Sequence, residues 1–244
     1  MKILLPPSEG KYRPRRGAPL DLSALGRPEL TDARTEVIEA LVDFCLTEPQ
    51  RAAGALGVPK SQADLVDLNA ALKSSPTARA DHIYTGVLYD ALGFGTLSPS
   101  AKRRARSRVL ITSSVFGLVS PSDRIAPYRL SGDASLPGLG SVAAHWRRHL
   151  MVEDDLVIDL RSGMYAGFCA PGGRVAAVKV LQERNGTRAV VSHFNKATKG
   201  RLVRALLESG ASPVDPTRLA QVWRDLGWQV EESGNVLEVI VTEV

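Results

Sequence analysis

Basic residues are concentrated in one stretch, NKATKGRLVR at positions 195–204, which directly follows the run TRAVVSHF. That run predicts a strand, and a helix that begins near Asn195 has one apolar stripe, formed by Leu202, Val203, Leu206 and Leu207. Lys199 falls inside this stripe near the amino end of the helix. Ligands of open α/β sheets bind above the sheet edge, where the amino ends of helices attract anions. The stretch therefore predicts a phosphate or carboxylate site at Lys199, with a lysine that extends past the core to solvent as the alternative.

A second anion-binding pattern occurs in RAAGALGVPKSQADL, where Leu56-Gly57-Val58 separates two helical runs and precedes Pro59 and Lys60. This is the outline of a helix-hairpin-helix, whose turn offers backbone N–H groups to one DNA phosphate. An ordinary corner between two helices has the same outline. The basic run AKRRARSR at 101–108 contacts a nucleic-acid backbone or forms a solvated helix face.

Further candidate residues lie in or beside loops at predicted strand ends, namely Tyr84, Tyr128, Arg129, Asp159 and Tyr165. Such positions often form sites, although each of these residues could also belong to the core or to a surface pair. The chain has no G-x-x-x-x-G-K-[ST] phosphate loop and no G-x-S-x-G nucleophile elbow. A nucleotide hydrolase or an esterase is therefore unsupported.

The histidine pair His145 and His149 has the i, i+4 spacing of the zinc ligands in H-E-x-x-H. The motif HWRRH lacks the glutamate, and its two arginines repel a cation. The four histidines and the two cysteines, Cys45 and Cys169, form no ligand cluster along the sequence. We therefore expect neither a metal nor another cofactor.

The charge balance makes an anionic partner plausible, because 31 Lys and Arg residues against 26 Asp and Glu residues give a net charge of +5. Two widely separated cysteines do not make a disulfide framework, which indicates a reducing compartment. The start MKILLPPSEGKY is not a signal peptide, and no apolar stretch has the length of a membrane span. We expect a cytoplasmic protein with no membrane partner.

Apolar periodicity predicts one α/β domain over residues 1–244, with a mixed sheet flanked by helices. The predicted strands are KILL, VLITS, DLVIDL, GRVAAVKVLQ, TRAVVSHF, WQVEE and VLEVIVTE. A helix capped by Thr31 or Asp32 precedes the two helical runs around LGVPKS, and others begin at Pro99, in SVAAHWRRHLM, at 195 and at 216. Residues 121–140, rich in Pro and Gly, are the least ordered-looking part.

Four segments, HIYTGV, TSSVFGLVSPSDRIAPYRL, VIDLRSGMY and FNKATKGRLVRALL, occur in the order and approximate spacing of the YaaA family of peroxide stress resistance proteins. The resemblance runs nearly end to end, and PYRL and K-x-x-K-G-x-x-x-R are its most specific pieces. It implies one α/β domain of unusual topology, the cantaloupe fold. It also implies DNA binding through a helix-hairpin-helix and a basic cleft, and a role in limiting DNA damage and free iron under hydrogen peroxide.

The family pattern falls on Tyr84, Thr85, Gly86, Ser113, Gly117, Pro121, Asp123, Pro127, Tyr128, Arg129, Ser162, Tyr165, Lys196, Lys199, Gly200 and Arg204. Gly57 and Lys60 match the hairpin only loosely. The chain departs from the pattern at Phe116, Ser120 and Met164, where the family has Tyr, Arg and Glu. PPSEGK replaces an S-P-A-K-like start, so Lys11 is expected to supply the basic group there.

Two functions fit these residues. The first is a DNA-binding protein of low sequence specificity, with anion-binding residues Lys11, Gly57, Lys60, Arg129, Lys196, Lys199 and Arg204. The second is an enzyme that acts on a nucleobase, a nucleotide or another small phosphorylated substrate, with catalytic candidates Lys199, Tyr128, Asp159 and Tyr165, joined by Arg129, Glu9 and Lys11. A deep pocket favours the enzyme, and an open groove favours the DNA-binding protein. The second function lacks an identifiable nucleophile–base pair, so the sequence favours DNA binding.

Overall fold

A mixed sheet forms the centre of the computed structural model, which describes residues 1–184, 186–190 and 192–242, apart from the side chains of residues 60, 192 and 193. The strands are β1 (Lys2–Leu5), β2 (Ala78–Arg79), β3 (Val109–Ser113), β4 (Gly117–Val119), β5 (Arg124–Ile125), β6 (Ser135–Leu136), β7 (Gly140–Ser141), β8 (Leu156–Asp159), β9 (Arg174–Arg184), β10 (Thr187–Ala189), β11 (Gln229–Ser233) and β12 (Val236–Thr242). The main sheet has the order β11-β12-β9-β8-β1-β3-β4, and β10 also pairs with β9. Two small sheets pair β2 with β5 and β6 with β7.

Helices cover the sheet, and they are α1 (Thr31–Thr47), α2 (Pro49–Ala55), α3 (Asp64–Ala70), α4 (Ala80–Ile83), α5 (Val87–Leu92), α6 (Pro99–Arg108), α7 (Val142–His149), α8 (Gly163–Ala166), α9 (Ser192–Ser209) and α10 (Pro216–Asp225). This architecture confirms the predicted α/β domain with a mixed sheet and flanking helices. Among the described helices, none is long and apolar enough to cross a membrane.

The middle of the sheet is parallel, because β1 pairs in parallel with β3 and β8, and β9 pairs in parallel with β8 and β12. Its outer strands β4 and β11 are antiparallel to their neighbours. Parallel strands are buried on both faces and read as continuous apolar runs, as KILL and VLITS do here. The carboxyl ends of β1, β3 and β8 therefore meet at one edge, where their following loops lie together.

Helix α9 begins at Ser192, three residues before the predicted start at Asn195. The prediction of a strand over all of TRAVVSHF is wrong, because β10 is only the short return arm of a hairpin with β9 and ends at Ala189. The predicted apolar stripe is confirmed, since Leu202, Val203, Leu206 and Leu207 are buried.

Two further local predictions are wrong. Helix α1 is preceded by a 3-10 turn (Pro28–Leu30), and its cap residue is Leu30 rather than Thr31 or Asp32. Residues 121–140 are not loosely ordered, because Ile125, Ala126 and Tyr128 are buried in the core. Burial here depends on contacts with distant elements, which local Pro and Gly content does not reveal.

Candidate functional site

A cavity of about 530 Å³ lies at the sheet edge where β1 and β8 end, and we call it the candidate cavity. The loop after β1 lines it with Ser8, Glu9 and Lys11, the loop after β8 with Leu160 and Ser162, and helix α8 with Met164 and Tyr165. Arg129, Leu130 and Ser131 come from the buried segment 121–140, and Asn195, Lys196 and Lys199 come from α9. The fold thus brings together Lys11, Arg129, Tyr165, Lys196 and Lys199, five of the residues singled out in the sequence.

Lys199 lies in the candidate cavity at the amino-terminal part of α9. Its Nζ donates a hydrogen bond to the carbonyl oxygen of Leu160, at 3.0 Å, and the side chain is largely shielded from solvent. Burial lowers the pKa of Lys199, and the negative charge of Asp159 opposes this effect. An ammonium has three N–H donors, and the Leu160 carbonyl accepts from only one of them. The Lys199 ammonium can therefore also donate to a ligand.

Arg129 is held between the cavity and α3. The buried side chain of Asn69 contacts its backbone on both sides, because Oδ1 accepts from the Arg129 N–H at 2.8 Å and Nδ2 donates to the Arg129 carbonyl at 2.7 Å. The Arg129 guanidinium donates from Nη1 to Glu9 Oε1 at 2.5 Å, and its Nε is buried with no hydrogen-bond partner among the described residues. The hydrogen bond and the charge of Arg129 hold the pKa of Glu9 below its ordinary value. Asn69 is a positioning residue that the sequence did not reveal.

Lys11 places its ammonium 4.1 Å from the centroid of the Tyr128 ring, and Nζ donates to the Ser8 carbonyl at 2.8 Å. Burial and the neighbouring charge of Arg129 lower the pKa of Lys11 to about 7, against the attraction of Glu9. The Tyr128 ring attracts the ammonium, but this attraction is weaker than the hydration that Lys11 loses on burial, so the pKa stays lowered. Lys11 is therefore an amine that changes its charge near neutral pH, at the position where the resemblance implies a basic group.

The titration of Lys11 gives a testable result. The folded protein releases this proton near pH 7, whereas a solvated lysine keeps it until about 10.5. The unfolded state therefore binds more protons between these values, so the free energy of unfolding gains a contribution that rises with pH across this window. We expect an NMR titration of the lysine side chains to show one midpoint near 7, and the stability contribution to disappear in Lys11→Met. Lys102→Met, at a half-buried lysine of α6 whose hydrogen bond to the Gly95 carbonyl is exposed, should retain both. A Lys11 midpoint near 10 would contradict the geometry.

Tyr128 and Asp159 do not line the candidate cavity, and Tyr128 lines a second, adjoining cavity instead. The Tyr128 hydroxyl is buried within hydrogen-bond distance of Ser113 Oγ, at 2.8 Å, and of Tyr84 Oη, at 3.1 Å. Burial raises the pKa of Tyr128. The Asp159 carboxylate accepts two hydrogen bonds from the buried Arg161 guanidinium, at 2.9 and 2.8 Å. Of the four catalytic candidates, only Lys199 and Tyr165 therefore reach the cavity, and burial raises the pKa of Tyr165.

Arg204 does not line the cavity. Its guanidinium donates to the carbonyls of Leu92, Gly93 and Thr96, at 3.0 to 3.2 Å, and so closes the carboxyl end of α5. Arg204 is therefore not part of the candidate cavity, and its role as an anion-binding group stays a prediction. Helical spacing placed Arg204 beside other basic residues but did not show the carbonyls that it meets.

The basic run AKRRARSR forms most of α6, and part of its charge is used internally. Arg104 Nε donates to the carbonyl of Leu207 at 2.7 Å, and Arg108 Nη1 donates to that of Ala211 at 2.9 Å. These arginines therefore fix the end of α9 to α6. Arg103 and Arg106 of the same run are exposed, so for these two residues the solvated face and the nucleic-acid contact both stay open.

The hairpin-like segment consists of α2, a turn at Gly57, a 3-10 turn (Lys60–Gln62) and α3. Gly57 has φ +59°, in the left-handed region, and its N–H donates to the Gly54 carbonyl at 3.2 Å. That N–H is thus used inside the turn and is not offered to a phosphate. The side chain of Lys60 lies outside the described part of the chain.

A second cavity, of about 370 Å³, adjoins the same groups from the side of α3. It shares Glu9, Lys11 and Arg129 with the candidate cavity, and it is also lined by Gln62, Asp64, Leu65 and Leu68. The segment after Gly57 and the basic residues of the candidate cavity therefore belong to one surface.

Comparisons with known proteins give matches along most of the chain. The sequence profile described as peroxide stress protein YaaA matches residues 1–234. A UPF0246 protein of Streptomyces coelicolor is 44% identical over 261 aligned residues that cover 100% of both chains. A UPF0246 protein of Corynebacterium efficiens is 41% identical with 95% of each chain covered, and an uncharacterized protein of Campylobacter jejuni is 28% identical with 83% covered.

Proposed function

Because the chain belongs to the peroxide stress protein YaaA family, we propose that it is a DNA-binding protein that holds one nucleotide of distorted DNA in the candidate cavity. The observation that carries this proposal is the convergence of four basic side chains, Lys11, Arg129, Lys196 and Lys199, on a single cavity. Its volume of about 530 Å³ lies within the range of pockets that enclose small ligands. Phosphate contacts fix position without reading sequence, so the binding has low sequence specificity.

The second cavity supports DNA over a free ligand. It connects the α3 side of the hairpin-like segment to Lys11 and Arg129, so a backbone can run along this surface while one nucleotide enters the candidate cavity. A paired base cannot enter a cavity of this size, whereas a nucleotide rotated out of the helix can. A mismatched or melted site has already lost part of its pairing energy. The protein therefore prefers distorted DNA to an intact duplex.

A second candidate function is an enzyme that acts on a nucleotide or another small phosphorylated compound. Converging side chains in a cavity are the geometry expected of a small-molecule site. In addition, the Lys11 amine has a pKa of about 7, so part of it is neutral at physiological pH and can accept a proton or act as a nucleophile. The same basic residues would then bind the phosphate of the substrate.

Fluorescence anisotropy with three probes tests the proposal: a labelled duplex with a central mismatched bubble, the fully paired duplex, and a labelled mononucleotide. We expect the bubble to bind about tenfold more tightly than the paired duplex, and log K to fall steeply with log salt because phosphate contacts release counterions. No binding at low salt, or a flat salt dependence, refutes DNA binding. A mononucleotide that binds as tightly as the bubble refutes the preference for DNA and favours a site for a small phosphorylated ligand, as the second candidate function requires.

The same measurement on Lys199→Met assigns the binding to the candidate cavity. A charge-assisted hydrogen bond contributes about 1.5 to 3 kcal/mol, so we expect a loss of about tenfold or more in affinity for the bubble, with little change in melting temperature. Lys102→Met is the matched control, because Lys102 also donates to one backbone carbonyl, that of Gly95 at 2.7 Å, but lies on α6 outside the cavity. Equal losses in both variants would mean that the binding reflects net charge alone.

A further inference from the structure

A cluster of three potential metal ligands lies between α1 and α7 and does not line the candidate cavity. Glu36 belongs to α1, His145 and His149 belong to α7, and their ligand atoms all lie within 4.8 Å of one another. We propose that Glu36, His145 and His149 form a binding site for a divalent transition-metal ion. The sequence shows no glutamate within HWRRH, but the packing of α1 against α7 supplies one from a distant helix.

His145 is the fixed member of this site. Its imidazole is completely buried, and Nε2 lies 3.0 Å from the carbonyl oxygen of Ala33, which can only accept a hydrogen bond. Nε2 is therefore the protonated nitrogen, and the lone pair of Nδ1 faces Glu36 Oε2 at 3.6 Å. Nδ1 is buried and has no hydrogen-bond partner within the described part of the structure. A carbonyl that orients one imidazole nitrogen so that the other can coordinate is the usual second contact of a metal-bound histidine.

The other two ligands of the proposed site are the exposed side chains of His149 and Glu36. The two imidazole centroids are 4.8 Å apart, as the i, i+4 spacing on α7 allows. The ligand atoms of a tetrahedral zinc site are about 3.3 Å apart, from bond lengths of about 2.0 to 2.1 Å. The observed Nδ1–Oε2 distance is close to this value, and the exposed side chains of His149 and Glu36 can close the remainder by small rotations.

The donor set decides the class of ion. Two imidazoles and one carboxylate suit zinc, cobalt and the other divalent first-row metals, whereas magnesium and calcium prefer oxygen ligands. Three protein ligands leave the fourth tetrahedral position for water or another ligand.

The arginines between the histidines do not occupy this site. Arg147 Nε donates to the Gly167 carbonyl at 3.0 Å, which draws its guanidinium toward the loop after α8. Arg148 is exposed, so solvent screens its repulsion of a cation, and the Glu36 carboxylate offsets it in part. The proposal does not depend on the function of the candidate cavity.

Cobalt(II) provides the test, because its visible absorption reports coordination number and ligand type. We expect the untagged, chelator-treated protein to bind one equivalent of Co²⁺ with a tetrahedral spectrum, and Zn²⁺ to displace it. Glu36→Gln and His149→Ala should each weaken binding by at least about tenfold. Both residues are exposed, so the variants should fold, and circular dichroism verifies this.

Two controls match these variants. Glu39→Gln lies on the same helix, where Glu39 pairs with Lys73 at 3.5 Å, and His82→Ala changes an exposed histidine of α4. Neither should alter Co²⁺ binding. No saturable binding by the wild-type chain, or equal binding by all five proteins, would overturn the proposal.

Discussion

Replacing Arg34 by methionine is expected to lower the free energy of unfolding by about 3 kcal/mol or more. Arg34 lies on α1, is completely buried, and donates to four backbone carbonyls. Nε and Nη2 bind the carbonyls of Phe116 and Leu118, each at 3.0 Å, and the guanidinium also reaches those of Gly26 and Arg27, at 2.9 and 3.3 Å. Methionine fills much of the volume but leaves these acceptors without a donor, and each buried unpaired acceptor costs about 1 to 3 kcal/mol.

Urea unfolding of Arg34→Met and Arg51→Met measures this effect. Arg51 is the exposed counterpart, because its guanidinium contacts only Glu48 and the Phe44 ring at the surface among the described contacts. Its loss should change the free energy of unfolding by less than about 1 kcal/mol. If the two variants lost stability equally, the carbonyl contacts of Arg34 would have no special role.

Gly200→Ala is expected to have the second largest effect, because α9 packs closely against α5 at Gly200. A Cβ atom there would lie 2.2 Å from the Leu88 carbonyl oxygen and 3.0 Å from Ala91 Cβ. Both neighbours belong to α5, so the helices must separate. Overpacking of this kind costs about 3 kcal/mol, which corresponds to a fall of about 6–12 °C in melting temperature for a chain of this size. Because α9 also carries Lys196 and Lys199, the variant should bind the bubble probe more weakly.

Gly54→Ala is the matched control for Gly200→Ala. Gly54 is also helical, in α2, but a Cβ atom there meets no atom within 4 Å. Alanine has the higher helix propensity, so this variant should be unchanged or stabilised by up to about 1 kcal/mol. Scanning calorimetry compares the two, and equal melting temperatures would contradict the close packing of α9 on α5.

Local patterns predicted much of the fold. Continuous apolar runs identified β1 and β3, and the 3.6-residue period identified α9 and the position of Lys199 on its inner side. These features depend on residues that are neighbours in the sequence. The same applies to Arg129 and Tyr165, whose positions at the ends of predicted elements indicated a shared site.

Long-range contacts explain what the sequence did not reveal. Nothing near Arg34 shows that its guanidinium meets the backbone of β4, and nothing near Asn69 shows that it holds Arg129. The carbonyl partners of Arg204, at and just after the end of α5, were not evident from the sequence for the same reason. A single polar residue in an otherwise apolar helix is usually predicted to face solvent. Only the three-dimensional structure shows that backbone carbonyls of another element lie opposite it and accept its hydrogen bonds.

The hydrogen bonds of Arg34 to backbone carbonyls also affect whether another molecule can add a strand to the sheet at β4. An outer strand with free carbonyls is a template on which another chain can add a strand and begin to aggregate. Arg34 occupies two acceptors beside or within β4, and at the opposite end of the sheet Arg224 donates from Nε and Nη2 to the Val230 carbonyl of β11. A guanidinium from a helix thus occupies a carbonyl acceptor in each outer strand, and strand addition across that carbonyl must first displace the arginine.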